Sequence, residues 1–261
     1  MSEFTPVQCL TFEEFGQILC YPKPEREEFH LRQKELKFLG VSRISFTGAT
    51  KIMDRHILGK GCVSLVMKAE MNRDTVALKI RRVDADRPNM SHETSMLRMA
   101  NKSGVGPNYH GSTKNLLAMT YVQGLPVGRW LQTLSGGGQK ARVRQAISAL
   151  LTQCFAMDIA GIDHGELSNA SKHILVDEQE IPWIIDFESA SIVRKPKNLT
   201  SIVQFLFVHP KVSSLTERRM GHIDRGGLFA LLKSYKRSPT RKLLTEISNL
   251  LRISSSEVQV R

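Results

Sequence analysis

Three groups of residues have types and spacings that could do chemistry. Lys79 stands alone in the apolar stretch Val76-Ala77-Leu78-Lys79-Ile80, and a lysine carried into apolar surroundings is costly unless an anion meets it. Ahead of it, Leu58-Gly59-Lys60-Gly61-Cys62-Val63-Ser64-Leu65-Val66 sets two glycines one residue apart. Such a pair lets the backbone turn tightly and come close to something large and polar. Further on, Ile162-Asp163-His164-Gly165-Glu166-Leu167-Ser168-Asn169 leads to Lys172-His173-Ile174-Leu175-Val176, and a polar turn leads to Pro182-Trp183-Ile184-Ile185-Asp186-Phe187-Glu188. A carboxylate therefore stands before the first of two short apolar strands, and another ends the second. That arrangement suits phosphoryl transfer: one carboxylate accepts the proton of a nucleophile, and the other holds the cation that bridges phosphates. Asp186 closes a buried strand, so its charge calls for a partner such as a metal.

The elements that must position these groups follow from periodicity. Leu65, Val66 and Met67 precede a turn over residues 68–74, and Val76, Leu78 and Ile80 alternate after it, as strands do. Residues 41–46 and 52–58 read as further strands. Thr11-Phe12-Glu13-Glu14 reads as a capping box, and a second helix is expected from Pro24 to Gly40. Pro88 is placed to start a helix with Glu93 in its middle. Residues 116–122 form a strongly apolar strand, Gly136-Gly137-Gly138 a flexible loop, and residues 140–160 a long buried helix stopped by Gly161. Helices are also expected over residues 199–206, 227–235 and 240–251, with a disordered tail over 254–261.

Composition narrows the class. The 261 residues are 41% hydrophobic and 24% charged, in the ordinary range for a soluble protein. No apolar run approaches the roughly 18–20 residues that span a bilayer. The start Met1-Ser2-Glu3-Phe4-Thr5-Pro6 has neither the basic residues nor the apolar block of a signal peptide. A cytoplasmic protein with no membrane partner is expected. The four cysteines are scattered, with no Cys-x-x-Cys pair, so neither zinc nor a disulfide framework is indicated. The net charge of +12 is concentrated late: residues 190–261 hold fourteen Lys or Arg against four Asp or Glu. A solvated basic surface and a face for nucleic acid or another acidic partner both fit that bias.

Taken together, the motifs resemble those of the protein-kinase-like superfamily over residues 58 to about 207. The glycine pair followed by Val76-Ala77-Leu78-Lys79 resembles the phosphate loop and the Val-Ala-x-Lys strand of kinases. His164-Gly165-Glu166-Leu167 resembles the His-Gly-Asp-Leu loop of atypical kinases, such as the RIO family and the kinase subunit of the tRNA-threonylcarbamoylation complex, and of small-molecule phosphotransferases. Asp186-Phe187-Glu188 resembles Asp-Phe-Gly. The whole set, including Arg194-Lys195-Pro196-Lys197-Asn198, is similar to that of small archaeal predicted serine/threonine kinases.

The resemblance implies an α+β, two-lobed protein-kinase-like fold. An antiparallel β N-lobe with one helix would cover residues 52–123, a reduced and mostly helical C-lobe residues 124–253, and a helical N-terminal extension residues 1–51. It implies ATP and Mg2+ as cofactors, with Lys79, Glu166 and Asp186 catalytic. Glu93, fourteen residues beyond Lys79, would pair with it. Leu58, Gly59, Lys60, Gly61, Val66, Ala77, Met119, Thr120, Val122 and Leu175 would contact the nucleotide, with Met119 at the back of the pocket and residues 120–122 offering backbone hydrogen bonds. Asp186 and Asn169 would hold the metal. Ser171 and His173 remain alternatives to Asn169, with His173 last because magnesium prefers oxygen donors.

The departures shape the expected activity. Ser64 replaces the loop's third glycine, Glu166 stands where an aspartate is expected, and Gly165 replaces the arginine of regulated kinases. Nothing after Glu188 resembles Ala-Pro-Glu, so a long activation segment is not expected. The first reading is ATP- and Mg-dependent phosphorylation of serine or threonine in a protein substrate, autophosphorylation included. The alternatives are an ATPase switch or pseudokinase on RNA- or ribosome-associated machinery, which the basic C-terminal portion would contact, and a small-molecule phosphotransferase.

Overall fold

Short alternating runs in the first half of the sequence become strands in the computed structural model, which describes residues 4–253. In chain order the elements are β1 (Phe4–Pro6), α1 (Phe12–Leu19), α2 (Arg26–Phe38), β2 (Val41–Ser45), β3 (Thr50–Ile52), β4 (Arg55–Ile57), β5 (Gly59–Lys60), β6 (Ser64–Met71), β7 (Asp74–Arg81), α3 (Ser91–Lys102), β8 (Tyr109–Ser112) and β9 (Leu116–Thr120). There follow β10 (Gly124–Pro126), α4 (Val127–Thr133), α5 (Gln139–Ile159), β11 (Ile174–Asp177), β12 (Pro182–Ile184), α6 (Asn198–Phe207), α7 (Pro210–Met220), α8 (Arg225–Arg237) and α9 (Arg241–Leu250). The fold is α+β. The chain divides into two compact units, Met1–Ser95 with Asn108–Tyr121 and Met96–Pro107 with Val122–Arg261.

The first unit is built on a seven-stranded antiparallel sheet in the order β1-β2-β6-β7-β9-β8, with β5 added on β6. Its central hairpin is longer than the sequence predicts. β6 runs on to Met71 and turns through Asn72 and Arg73 alone, at φ 51° and 74°. Two successive positive φ values match the twist of a two-residue hairpin, and asparagine tolerates that region well. Residues 52–58 do not make one strand, because Met53 (φ 52°) reverses the chain into the β3–β4 hairpin.

The helical extension expected over residues 1–51 is, in its described part from residue 4, a portion of this unit. These residues supply two of its strands, and Phe15, Ile18, Leu19, Phe29 and Leu36 share one core with Leu65, Met67, Leu78 and Ile80. Polar groups fasten α2 as well. Arg32 is fully buried, donates to the carbonyls of Leu19 and Arg81, and is paired with Glu28. The Glu35 carboxylate accepts from the Thr113 hydroxyl and from both the backbone and side-chain nitrogens of Asn115. The predicted capping box at Thr11 does not form; the Thr11 hydroxyl donates to Glu14 instead of accepting from the backbone. Pro88 lies outside α3, whose first backbone N–H is met by Asn89, so Glu93 falls in the first turn and not in mid-helix.

In the second unit, β10, β11 and β12 form a small antiparallel sheet. Val143, Ile147, Leu150, Leu151 and Cys154 are buried along α5, as the periodicity predicts, whereas Phe155 is half-buried and Ile159, expected on the same face, is exposed near the helix end. α6 is buried almost throughout. α7, with Pro210 at its start, was not anticipated from the sequence. Asp224 and Thr240 cap α8 and α9 through their side chains. No described helix is long and apolar enough to cross a membrane. The tail expected to be disordered, 254–261, lies outside the described residues.

Candidate functional site

Strand register decides which residues of the first unit share a surface. Gly59 pairs with Val66, Val66 with Lys79, and Lys79 with Leu117; one step along, Ala77 pairs with Met119. Residues in such a row, and those two apart in one strand, point to the same side of a sheet. Val66, Ala77, Lys79 and Met119 therefore lie on one face. The intervening Leu65, Met67, Val76, Leu78, Ile80, Leu116 and Ala118 lie on the other, where they join the core with α1 and α2. Lys79 is 5% exposed and forms an ion pair with Glu93, itself 4% exposed. Two charges so far from water each depend on the other, since removing one leaves an uncompensated buried charge.

The glycines above this face have a different reason from the one first inferred. Neither Gly59 nor Gly61 has positive φ; Gly59 lies in the short strand β5. A Cβ at Gly59 would meet nothing within 4 Å, and at Gly61 only the Ser64 carbonyl at 3.4 Å. The chain does not need glycine there to turn. Loop 61–63 is fastened by Arg82, whose backbone N–H donates to the Val63 carbonyl and whose guanidinium donates to the Gly61 carbonyl. Lys60 donates to the Tyr21 hydroxyl at 2.6 Å, and Leu58 is half-buried. The Thr120 N–H donates to the Asn108 carbonyl, and its hydroxyl bonds His110.

The second unit gathers carboxylates around two histidines. Glu166 stands just before a 3-10 stretch, Leu167–Lys172, which folds the chain back on itself. His173 ends that stretch, and its carbonyl accepts from the Ile185 N–H, so it sits beside the end of β12. Nε2 of His173 lies 2.6 Å from Oε2 of Glu166, and its Nδ1 lies 3.7 Å from Oδ2 of Asp186. The other Glu166 oxygen accepts from the Ser189 hydroxyl at 2.7 Å. Asp186 has φ 72°, an uncommon conformation for a side-chain-bearing residue and one that aspartate tolerates better than most. A carboxylate oxygen of Glu188 lies within 4.8 Å of one on Asp186.

Buried polar groups hold this loop from behind. His164 is fully buried, with Nε2 3.1 Å from the Ile185 carbonyl and its ring against those of His173 and Phe187. Burial pushes its pKa down to about 4, so the ring is neutral at physiological pH. The His164 N–H donates to the Asn198 side chain, whose amide donates in turn to Asp158 and to the Ile162 carbonyl. Asp158 also accepts from the backbone nitrogens of Asn198 and Leu199, at the start of α6, and from the Tyr235 hydroxyl. Burial raises its pKa in spite of these bonds. Asp163 is buried, bridges the backbone of Ser191 and pairs with Arg194 at 2.7 Å.

Of the residues singled out in the sequence, Gly59, Val66, Ala77, Lys79, Met119 and Glu93 come together in the first unit. Glu166 and Asp186 come within one imidazole of each other in the second. Asn169, the preferred second cation ligand, is exposed, and its side chain accepts from Ser171 at 3.4 Å; the residue that the fold sets beside Asp186 is His173. Leu175 is paired on both sides, with Pro126 and Trp183, and Val122 lies just before β10. Sequence reasoning missed Ser189, Asp158 and Tyr235, and it named Asn198 only as the end of the Arg194–Asn198 motif, with no partner assigned. The chain matches no protein-family model and no curated protein.

Proposed function

We propose that the chain is an ATP-dependent phosphotransferase acting on serine or threonine hydroxyls of proteins. The observation that carries the reading is the sheet face of the first unit. A dry lysine–glutamate pair there shares its surface with Val66, Ala77 and Met119, under a glycine that the chain's own packing does not require.

Each residue has a task it can perform. Lys79, oriented by Glu93, presents its remaining protons to phosphate oxygens. The bare backbone at Gly59 allows close approach of a phosphate chain. Val66, Ala77 and Met119 offer apolar contact to a base. Asp186, with negative charge just beyond β12 and a side chain 36% exposed, fits a divalent cation with oxygen preference, the ordinary choice being Mg2+. When bound, that ion neutralises charge on the phosphates. Glu166 keeps unused lone pairs beyond those given to Ser189 and His173 and is partly exposed, so it can accept the proton of an acceptor hydroxyl. The hydroxyl oxygen bonds to the γ-phosphorus as the bond to the bridging oxygen breaks, and ADP leaves.

The test is incubation of purified protein with labelled ATP and magnesium, following label on protein and free phosphate together, beside Lys79→Ala, Glu166→Gln and Asp186→Asn. Label on protein that disappears in all three variants supports the reading. Phosphate release with no labelled protein replaces it with an ATPase switch, and failure to bind nucleotide removes both.

A further inference from the structure

The geometry points to His173 as a nitrogen ligand, with Asp186, of the catalytic cation, oriented from behind by Glu166, so that the site favours a first-row transition ion over magnesium. The inference rests on the reading of Asp186 as a cation ligand and goes beyond it in ligand type, in the second task of Glu166 and in metal preference.

Three observations carry it. First, an ionised carboxylate can only accept, so the 2.6 Å contact with Glu166 puts the imidazole proton on Nε2. In the neutral ring that leaves Nδ1 as a lone pair. Second, this Nδ1 is buried, and among the described residues no group hydrogen-bonds to it. Third, it faces Oδ2 of Asp186 at 3.7 Å, beyond hydrogen-bond reach, so a proton on Nδ1 would gain no bond there. In the neutral ring a nitrogen lone pair and a carboxylate oxygen turned toward each other form two donor atoms that a cation can bridge. Neighbouring corners of a small octahedral ion are about 3 Å apart, and a modest rotation of the Asp186 carboxylate closes the difference.

The Glu166–His173 contact then acquires a purpose. A carboxylate that takes the proton of a ligating imidazole fixes its tautomer and orientation and raises its basicity. The ring is further set by His164, packed edge-on at 5.7 Å. Magnesium gains little from an imidazole, whereas first-row transition ions bind mixed nitrogen and oxygen sets more tightly.

The probe is Mn2+ with pyrophosphate, which supplies phosphate oxygens and contains no nitrogen. Spin-echo spectroscopy of the bound ion should show 14N coupling from one imidazole in the wild type. His173→Asn and His173→Gln, with melting temperatures within a few degrees of wild type, should bind Mn2+ without that coupling and lose at least about tenfold of the Mn2+ over Mg2+ preference. Glu166→Ala should weaken Mn2+ binding by about 10–100-fold, and Glu166→Gln by less, since its amide oxygen still accepts. Bound Mn2+ with no nitrogen coupling, coupling that survives His173→Asn, or no saturable binding would each overturn the assignment. Label transfer from ATP is measured in parallel. Transfer without nitrogen coupling leaves the phosphotransferase standing and removes this inference; coupling without transfer does the reverse.

Discussion

The Lys79–Glu93 pair of the first unit and the Glu166–His173–Asp186 run of the second use similar groups under opposite solvent conditions. The side chains of Lys79 and Glu93 are 6% and 5% exposed, while those of Glu166 and Asp186 are 41% and 36% exposed. In the dry pair each charge is met by the other at close range, and the arrangement belongs to the fold's stability. In the wetter run, water reaches the two carboxylates though not His173, whose side chain is 13% exposed, so the contacts orient groups more than they hold the unit together. One site stays charged in spite of burial because its charges are paired; the other is placed so that it can still meet a ligand.

The sharpest way to break the comparison is to remove one member of the dry pair. Lys79→Met should cost about 3–5 kcal/mol in denaturant unfolding, and adding Glu93→Leu should restore much of that loss. A single-variant cost below about 1 kcal/mol would mean that the pair is not dry in solution.

A smaller effect comes from pH. His164 carries a folded pKa of about 4 against an ordinary value near 6.5. The unfolded chain therefore binds a proton first as pH falls. The contribution is fully present above about 6.5, declines through the interval, and amounts to about 3 kcal/mol lost by pH 4. Asp158 works in the opposite sense: its raised folded pKa adds stability as pH falls through that value. Unfolding curves at several pH values, with His164→Gln beside wild type, should show the slope between pH 6.5 and 4 flatten in the variant.

Breaking the wetter run should cost less still. His173→Asn and Glu166→Ala are expected to change unfolding free energy by about 1 kcal/mol or less, even where they abolish phosphoryl transfer. A loss as large as that of Lys79→Met would erase the distinction between the two regions. The smallest effect is expected at Gly59→Ala. With no atom near the added methyl and no positive φ, stability should stay within about 0.5 kcal/mol, while ATP affinity measured by calorimetry falls. An unchanged affinity would count against close approach of phosphates to that loop.

Period-two alternation is local, so the sequence alone determined which side chains within each of β6, β7 and β9 share a face. That Val66 and Met119 join Ala77 and Lys79 on one face was implied only by the resemblance, and the strand register sets it. The apolar run before Asp186 likewise marked a strand, though β12 stops at Ile184 and Asp186 lies two residues beyond it at φ 72°. Tertiary structure decided what local pattern cannot encode. α1 and α2 read as an appendage because an amphipathic helix does not state what covers its apolar face; here the seven-stranded sheet does. Asn198 meets His164 across thirty-four residues, and Tyr235 meets Asp158 across seventy-seven. His173 ranked last as a ligand while it was judged by chemistry alone. Its place beside Glu166 depends on a 3-10 stretch that folds six residues back and on the register of β11 with β12. Hydrogen bonds and carboxylate spacing depend on ångström-scale position, which is set only when strands pair and the core closes.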